Sequence, residues 1–374
     1  MFVGLEKRIN FIKGCLSGDA DVLNKMSQKF ANFFRFPNHT PERFINKAVV
    51  QISKQLAWPK AYGVPSHVII EISSACQLKC PLCPVGNGSL NRPSHIMSFD
   101  TFKAVIDEIA GYVYRVNLSG MGEPTLNHQI VEMIEYAKRK NIYVDLYTNF
   151  QLKSQKLIES FVDVGLDSIL IALDGATKET YEQYRIGGKF EGIIDNIRCL
   201  VETRKQSGGK KPEINIQFIA FDHNKDQLSM ISDLVRSLGA DNLYVKRPFL
   251  FWGTEDKEEN YNYIKNEDDF NAYKVGGNGA TWKLKPKKVC DYLWAATVVL
   301  ADGSISPCCF DYDGKVVFGN VKEEPFKKIW NNNKYRSFRK QNRTDWKSVP
   351  LCHQDFEGGC PNMYVQSDDW LIKL

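Results

Sequence analysis

The residues best equipped for chemistry in this chain are cysteines. Three of them share one run, Cys76-Gln77-Leu78-Lys79-Cys80-Pro81-Leu82-Cys83-Pro84, spaced C-x3-C-x2-C. Three thiolates on one short loop can hold three irons of a [4Fe-4S] cube, because soft sulfur ligands suit iron–sulfur clusters. The fourth iron then has no protein ligand and is open to a small chelator. Two other uses of the same residues are a structural zinc site completed by His95 and a Cys80/Cys83 redox pair. Pro81 and Pro84 stiffen the loop and remove two backbone donors. A second group lies far downstream at Cys290, Cys308, Cys309, Cys352 and Cys360. Asp302-Gly303, between apolar runs, predicts a hairpin that carries Cys308 towards Cys290. Cys15 and Cys199 read as free buried thiols.

The elements that must position these cysteines alternate along the chain. Strands are predicted at 67–73, 113–119, 142–148, 168–173, 213–220 and 242–247. Helices are predicted near 99–110, 127–140, 153–164, 178–184, 189–206 and 225–238. Repeated βα alternation implies a parallel sheet, here a curved, incomplete barrel of six strands where a closed one has eight. Function in such sheets gathers at the C-terminal strand ends. The cysteine loop follows the first strand, Gly122-Glu123-Pro124 the second, and Thr148-Asn149 ends the third. One mouth therefore collects all three.

The flanks are different. Residues 1–65 read as a helical, basic region with ten Lys/Arg and four Asp/Glu. Phe2, Leu5, Ile9, Ile12 and Leu16 form an apolar stripe that docks on the main domain or rests on an anionic membrane surface. Phe33, Phe34, Phe36 and Phe44 read as packing residues. The barrel is assigned to 66–250, a loop-rich bridge to 251–285, and a third region with a tail to 286–374. Composition is that of a soluble protein, 43% apolar and 25% charged over 374 residues. Charges at Glu6, Lys7, Arg8 and Lys13 interrupt any signal peptide, and no run is long enough to span a membrane. Ten cysteines without a secretion signal point to a reducing, cytoplasmic setting and to cluster ligation over disulfides. A net charge of +5 gives no reason to expect nucleic acid.

The C-x3-C-x2-C spacing, followed by Gly122-Glu123-Pro124 and Thr148-Asn149 on successive strand ends, resembles the radical S-adenosylmethionine (radical SAM) superfamily. The resemblance implies that S-adenosylmethionine chelates the open iron and is reductively cleaved to a 5′-deoxyadenosyl radical. It implies that Leu82 packs on the adenine, that Gly122, Glu123 and Pro124 hold the ammonium, and that Thr148 and Asn149 face the ribose or methionine. Arg185 is implied to bind the carboxylate, which a guanidinium fork suits, and Ile219 to flank the adenine. Asp174-Gly175 matches the family's Ser-x-Asp-Gly only in part, since Ala172 replaces the hydroxyl.

The C-x12-G-x4-C spacing through Cys290, Gly303 and Cys308 resembles the SPASM/twitch domains that hold auxiliary [4Fe-4S] clusters. It favours Cys308 over Cys309. Asp355 stands where the next cysteine of the full pattern belongs, so Cys290, Cys308, Cys352 and Cys360 are expected to hold one auxiliary cluster; four cysteines suit structural zinc equally.

The function implied is oxidation of a polar small molecule, a sugar, cyclitol or related alcohol, with the auxiliary cluster as electron acceptor. The second reading is peptide or protein maturation: crosslinking, epimerisation or side-chain oxidation. Either needs a low-potential electron donor of flavodoxin or ferredoxin type. Asp311, Lys246 and Arg247 are candidates to face the substrate, and the general base is unassigned.

Overall fold

Valine and isoleucine fill alternate positions of strand after strand, and that pattern sets the architecture. The computed structural model describes residues 36–248, 263, 273–276, 279–283, 290, 292–353, 360 and 371–373. The chain divides into two compact units, Met1–Thr40 and Pro41–Leu374, and the second carries everything below. The stripe from Phe2 to Leu16, Phe33, Phe34, Cys15 and most of the bridge lie outside the described residues.

Six strands follow the predicted order: β1 (His67–Ile70), β2 (Arg115–Leu118), β3 (Tyr143–Thr148), β4 (Ser168–Ala172), β5 (Glu213–Ile219) and β6 (Asn242–Lys246). Each pairs in parallel with the next. The helices are α1 (Pro41–Leu56), α2 (Phe99–Ile109), α3 (Ile130–Arg139), α4 (Gln155–Asp163), α5 (Lys178–Tyr184), α6 (Phe190–Gln206) and α7 (Leu228–Leu238). Side chains alternate between the two faces of a strand. Val68, Ile70, Val116, Leu118, Val144, Leu146, Ile169, Ile171, Ile214, Ile216 and Phe218 are fully buried on one face, in one cluster with the helices' apolar sides. The opposite, inner face carries Arg115, Asn117, Asp145, Tyr147, Asn215, Gln217 and Lys246. The fold is a partial barrel of mixed α/β type, as the alternation predicted.

Three elements differ from expectation. The third region continues the same sheet. After α8 (Tyr292–Ala295), β9 (Ala296–Val299) pairs in parallel with β1, and β10 (Ile305–Ser306) closes an antiparallel hairpin on β9. All four residues of β9 are buried, as a two-sided parallel strand requires. Gly303 takes φ +92° in the turn, which favours glycine. The last residues, read as a tail, include β11 (Leu371–Lys373), antiparallel to β6. The sheet thus has nine strands. The bridge contains a hairpin, β7 (Tyr273–Gly276) with β8 (Gly279–Trp282). The third region ends in α9 (Phe326–Trp330), α10 (Asn333–Asp345) and α11 (Pro350–His353). Among the described residues no helix is long and apolar enough to cross a membrane.

Two buried arginines tie the flanks to this sheet. Arg339 of α10 lies 4.2 Å from the Trp330 ring and 4.1 Å from that of Tyr335, and donates to the carbonyls of Leu293 and Trp330. Arg43 of α1 donates to the carbonyls of Ala110, Lys140 and Asn141 just beyond α2 and α3. A cation suits that end of a helix, where carbonyls lack partners. Phe44 beside it is 44% exposed. Replacing Arg43 by alanine orphans these carbonyls and should lower stability by about 3 kcal/mol, read as a fall in the urea midpoint at constant slope.

Candidate active site

The cysteine loop leaves β1 through Glu71, Ile72 and Ser73. Its turn is closed by Cys83 N–H donating to Cys80 O at 3.1 Å and Asn87 N–H to Cys83 O at 2.9 Å. Gly86 lies against Cys80 so closely that a Cβ there would stand 2.4 Å from its backbone nitrogen. Cys80 and Leu82 are buried, whereas Cys76 and Cys83 are partly open. Burial pushes the Cys76 thiol up to about 11 and raises that of Cys80, which Arg185 opposes. Three N–H donors reach the sulfurs: Leu78 N–H lies 3.4 Å and Asn149 Nδ2 3.6 Å from Cys76 Sγ, and Arg185 Nη1 3.6 Å from Cys80 Sγ.

The motif after β2 closes on this loop through its backbone. A Cβ on Gly122 would stand 2.4 Å from Ser73 O and 2.6 Å from Ala75 O, and Glu123 N–H donates to Ala75 O at 2.7 Å. The Glu123 carboxylate is buried and fully engaged inside the protein. One oxygen accepts from Thr125 N–H, Thr125 Oγ1 and Thr148 Oγ1, and the other from Asn149 N–H at 2.7 Å. Burial raises its pKa and these bonds oppose the rise. Pro124 is buried at the start of the short turn that follows.

Arg185 is likewise committed. Its Nε and Nη2 both donate to the buried carboxylate of Asp174, and the other Asp174 oxygen accepts from Ile219 N–H at 2.7 Å. The side chain thus joins the ends of β4 and β5 to the cysteine loop. Lys79 N–H adds a bond to Ile186 O at 2.8 Å.

The second cysteine set is buried. Cys308 is pushed far above the usual thiol range, first by burial and then by Cys360, Cys309, Cys290 and Cys352. All three predicted partners therefore lie within its electrostatic reach. Cys309 instead neighbours Tyr292 and Cys290, and burial holds it at about 11. Cys352 is pushed up to about 12 by burial. Asn342 on α10, invisible to motif reasoning, fastens two of the set: its Oδ1 accepts from Cys290 N–H at 3.2 Å and its Nδ2 lies 3.5 Å from Cys352 Sγ. Its only sequence signal is an amide on the buried stripe of Tyr335, Phe338 and Arg339.

Glu71 is a second missed residue. It is 1% exposed and accepts from Arg92 Nη2 at 2.6 Å, Met121 N–H at 3.0 Å and Ala301 N–H at 3.2 Å. Arg92 also donates to Tyr312 O, and Asn91 pairs with Asp313. The segment after the first cysteine loop is thus fastened to the turn after Cys308-Cys309.

Of the candidates for facing substrate, Asp311 is turned into the fold. Its carboxylate accepts from Ser306 Oγ, Lys315 N–H and Val316 N–H. Lys246 lies on the inner face, and Arg247 follows it beyond the strand. His95 is exposed and meets Ser74 through its backbone, so it does not complete a zinc site. Among the described residues no three His, Cys, Asp or Glu side chains are set for a single metal ion.

The radical SAM superfamily model matches residues 70–207, and that of the SPASM iron–sulfur cluster-binding domain matches 290–360. The chain belongs to the radical SAM superfamily. Relatives of this radical SAM protein include a tungsten-containing aldehyde ferredoxin oxidoreductase cofactor-modifying protein of Pyrococcus furiosus, 25% identical over 73% of this chain and 83% of that one. A PqqA peptide cyclase of Gluconobacter oxydans is 26% identical over 79% of this chain and 85% of its own. Among solved structures, SuiB of Streptococcus suis bound to S-adenosylmethionine aligns with a TM-score of 0.59 at 16% identity, covering 86% of this chain and 80% of that one. The family uses a [4Fe-4S] cluster with S-adenosylmethionine, and the SPASM domain auxiliary iron–sulfur clusters. The residues present fit those groups: three thiols on one loop with a glycine-backed turn, and four buried thiols of which Cys308 lies in electrostatic reach of the other three.

Two outcomes test this site. Anaerobically reconstituted protein should hold about eight irons, and the Cys76/Cys80/Cys83 triple alanine variant about four; iron and zinc counts by plasma emission decide. Glu123→Gln replaces an acceptor oxygen by an amide facing donors. It should cost about 2 kcal/mol in urea unfolding of the metal-free protein.

Proposed function

We propose that this radical SAM enzyme oxidises a polar small molecule, a sugar, cyclitol or related alcohol, by two electrons. The observation that carries the reading is the hydrophilic inner face of the sheet. Arg115 pairs with Asp145 and donates to Tyr147 Oη at 2.9 Å, Asn117 donates to the same Asp145, and Lys246 donates to Gln217. An apolar substrate would strip these groups of their remaining water without replacing it. When bound, the first cluster with S-adenosylmethionine supplies a 5′-deoxyadenosyl radical, and the auxiliary cluster supplies an acceptor for one electron.

This chain's residues do the rest. Cys76, Cys80 and Cys83 hold the first cluster, and Cys290, Cys308, Cys352 and Cys360 the auxiliary one. Leu82 and Ile219 flank the adenine, and Thr148 and Asn149 face the ribose or methionine. Glu123 and Asp174 act one step removed: each fixes backbone and side-chain donors around the S-adenosylmethionine site. Arg185 keeps Nη1 on the cysteine side. The substrate alcohol gives up a hydrogen atom, then a proton and an electron, and leaves as a carbonyl compound. A flavodoxin- or ferredoxin-type protein supplies the reducing electron from the cytoplasm. Modification of a cofactor, in the name of the Pyrococcus furiosus relative, agrees with a small-molecule substrate.

Peptide maturation is the second reading, favoured by the PqqA peptide cyclase among the relatives. Replacing Cys290 and Cys308 by alanine separates the roles. 5′-Deoxyadenosine should still form, while oxidised product per 5′-deoxyadenosine falls to near zero, with circular dichroism confirming the fold. Undiminished product in a folded variant lacking the second cluster would remove the electron-acceptor role.

A further inference from the structure

Lys246 ends β6 on the inner face. Its Nζ donates to Gln217 Oε1 at 2.7 Å and stands 5.6 Å from the centre of the Tyr147 ring. Gln217 is on the neighbouring strand β5 and Tyr147 on β3, so both side chains extend over the inner face to meet the ammonium. Ala172 lies opposite Gln217 on β4.

The charges around it are matched. Arg115 pairs with Asp145, Arg185 with Asp174, and Glu71 with Arg92. Lys246 makes no ion pair among the described residues; a neutral amide and an aromatic face are its partners. Burial pulls its ammonium down to about 8, Asp174 supports the charge, and Arg115 and Arg185 oppose it. A cation withdrawn from water without a counter-charge is costly. Tyr147 beside it stays 38% exposed.

We propose that Lys246, with Gln217 and Tyr147, forms an anion subsite that takes a carboxylate or phosphate group of the substrate. The proposal rests on the polar-substrate reading and sharpens it: the substrate carries a negative group. An ammonium is a point charge with three donors and accepts either anion. A ligand held there lies within the electrostatic reach of Asp174 and Arg185, and Arg185 Nη1 is 3.6 Å from Cys80 Sγ. The anchor is thus at the cysteine-loop end of the sheet.

The test is binding without turnover, so its failure leaves the oxidation reading standing. Reconstituted full-length protein loaded with S-adenosylmethionine is titrated by calorimetry with inorganic phosphate, malonate or glycerol at constant ionic strength. Saturable binding of phosphate or malonate, and none of glycerol, is expected. Affinity should fall about tenfold or more in Lys246→Met and persist in Lys246→Arg. Tighter binding of phosphate marks a phosphorylated substrate, and tighter binding of malonate a carboxylate. A second measurement needs no variant: the better anion should slow reductive methylation of Lys246 in the wild type, read by mass spectrometry, while leaving the exposed Lys340 unaffected. No saturable anion binding, equal binding to wild type and Lys246→Met, or unprotected Lys246 overturns the subsite.

Discussion

Glu71 is the residue on which the arrangement of both cysteine sets depends. It sits just past β1, the strand that pairs with β2 on one side and β9 on the other. Its carboxylate takes one donor from the segment after the first cysteine loop, one from the loop after β2 and one from the turn after β9. Desolvation of a buried ion pair offsets much of its attraction, so Glu71 with Arg92 adds little net stability. What the pair fixes is position. Gly120 packs against the Glu71 side chain so tightly that a Cβ would stand 2.4 Å from Cγ. The two halves of the protein share one strand and one carboxylate, so neither cysteine set can shift without moving the other's support.

This sharing explains what the sequence could show of the fold. The six central strands and their helices are encoded locally, by period-two and period-3.6 patterns with caps such as Ser98, Ser154 and Thr177. β9 and β11 are different. Ala296–Val299 reads equally as the arm of a separate hairpin, and Leu371–Lys373 is too short to carry a pattern. Both are strands because an open edge of a sheet built from distant residues accepts them. Pairing across more than a hundred residues leaves no local trace.

The site divides in the same way. The cysteines are legible as candidate ligands because few residues do that chemistry and their spacing is fixed by the loop. Their supports are common residue types whose meaning comes from placement. Asn342 looks like any polar helix residue, and Glu71 like a stray charge in an apolar strand. Asp311 shows the converse: an acid beside two cysteines suggests chemistry, yet its carboxylate closes a turn. Glu123 and Arg185, read as free charges for a ligand, already have their charge answered by protein donors or by Asp174.

These pairings set the charge at the mouth of the barrel. A cluster ligated by thiolates is anionic, and its potential follows net charge, hydrogen bonds to sulfur and solvent exposure. An unpaired arginine at Cys80 would supply a full positive charge there. Asp174 cancels most of it at a distance while leaving one Nη1 donor aimed at the sulfur. The result is a directed hydrogen bond with little net charge. Asn149 provides a neutral counterpart at Cys76. Hydrogen bonding to these sulfurs is thereby separated from net positive charge, and the one cation on this face without a counter-charge among the described residues is Lys246.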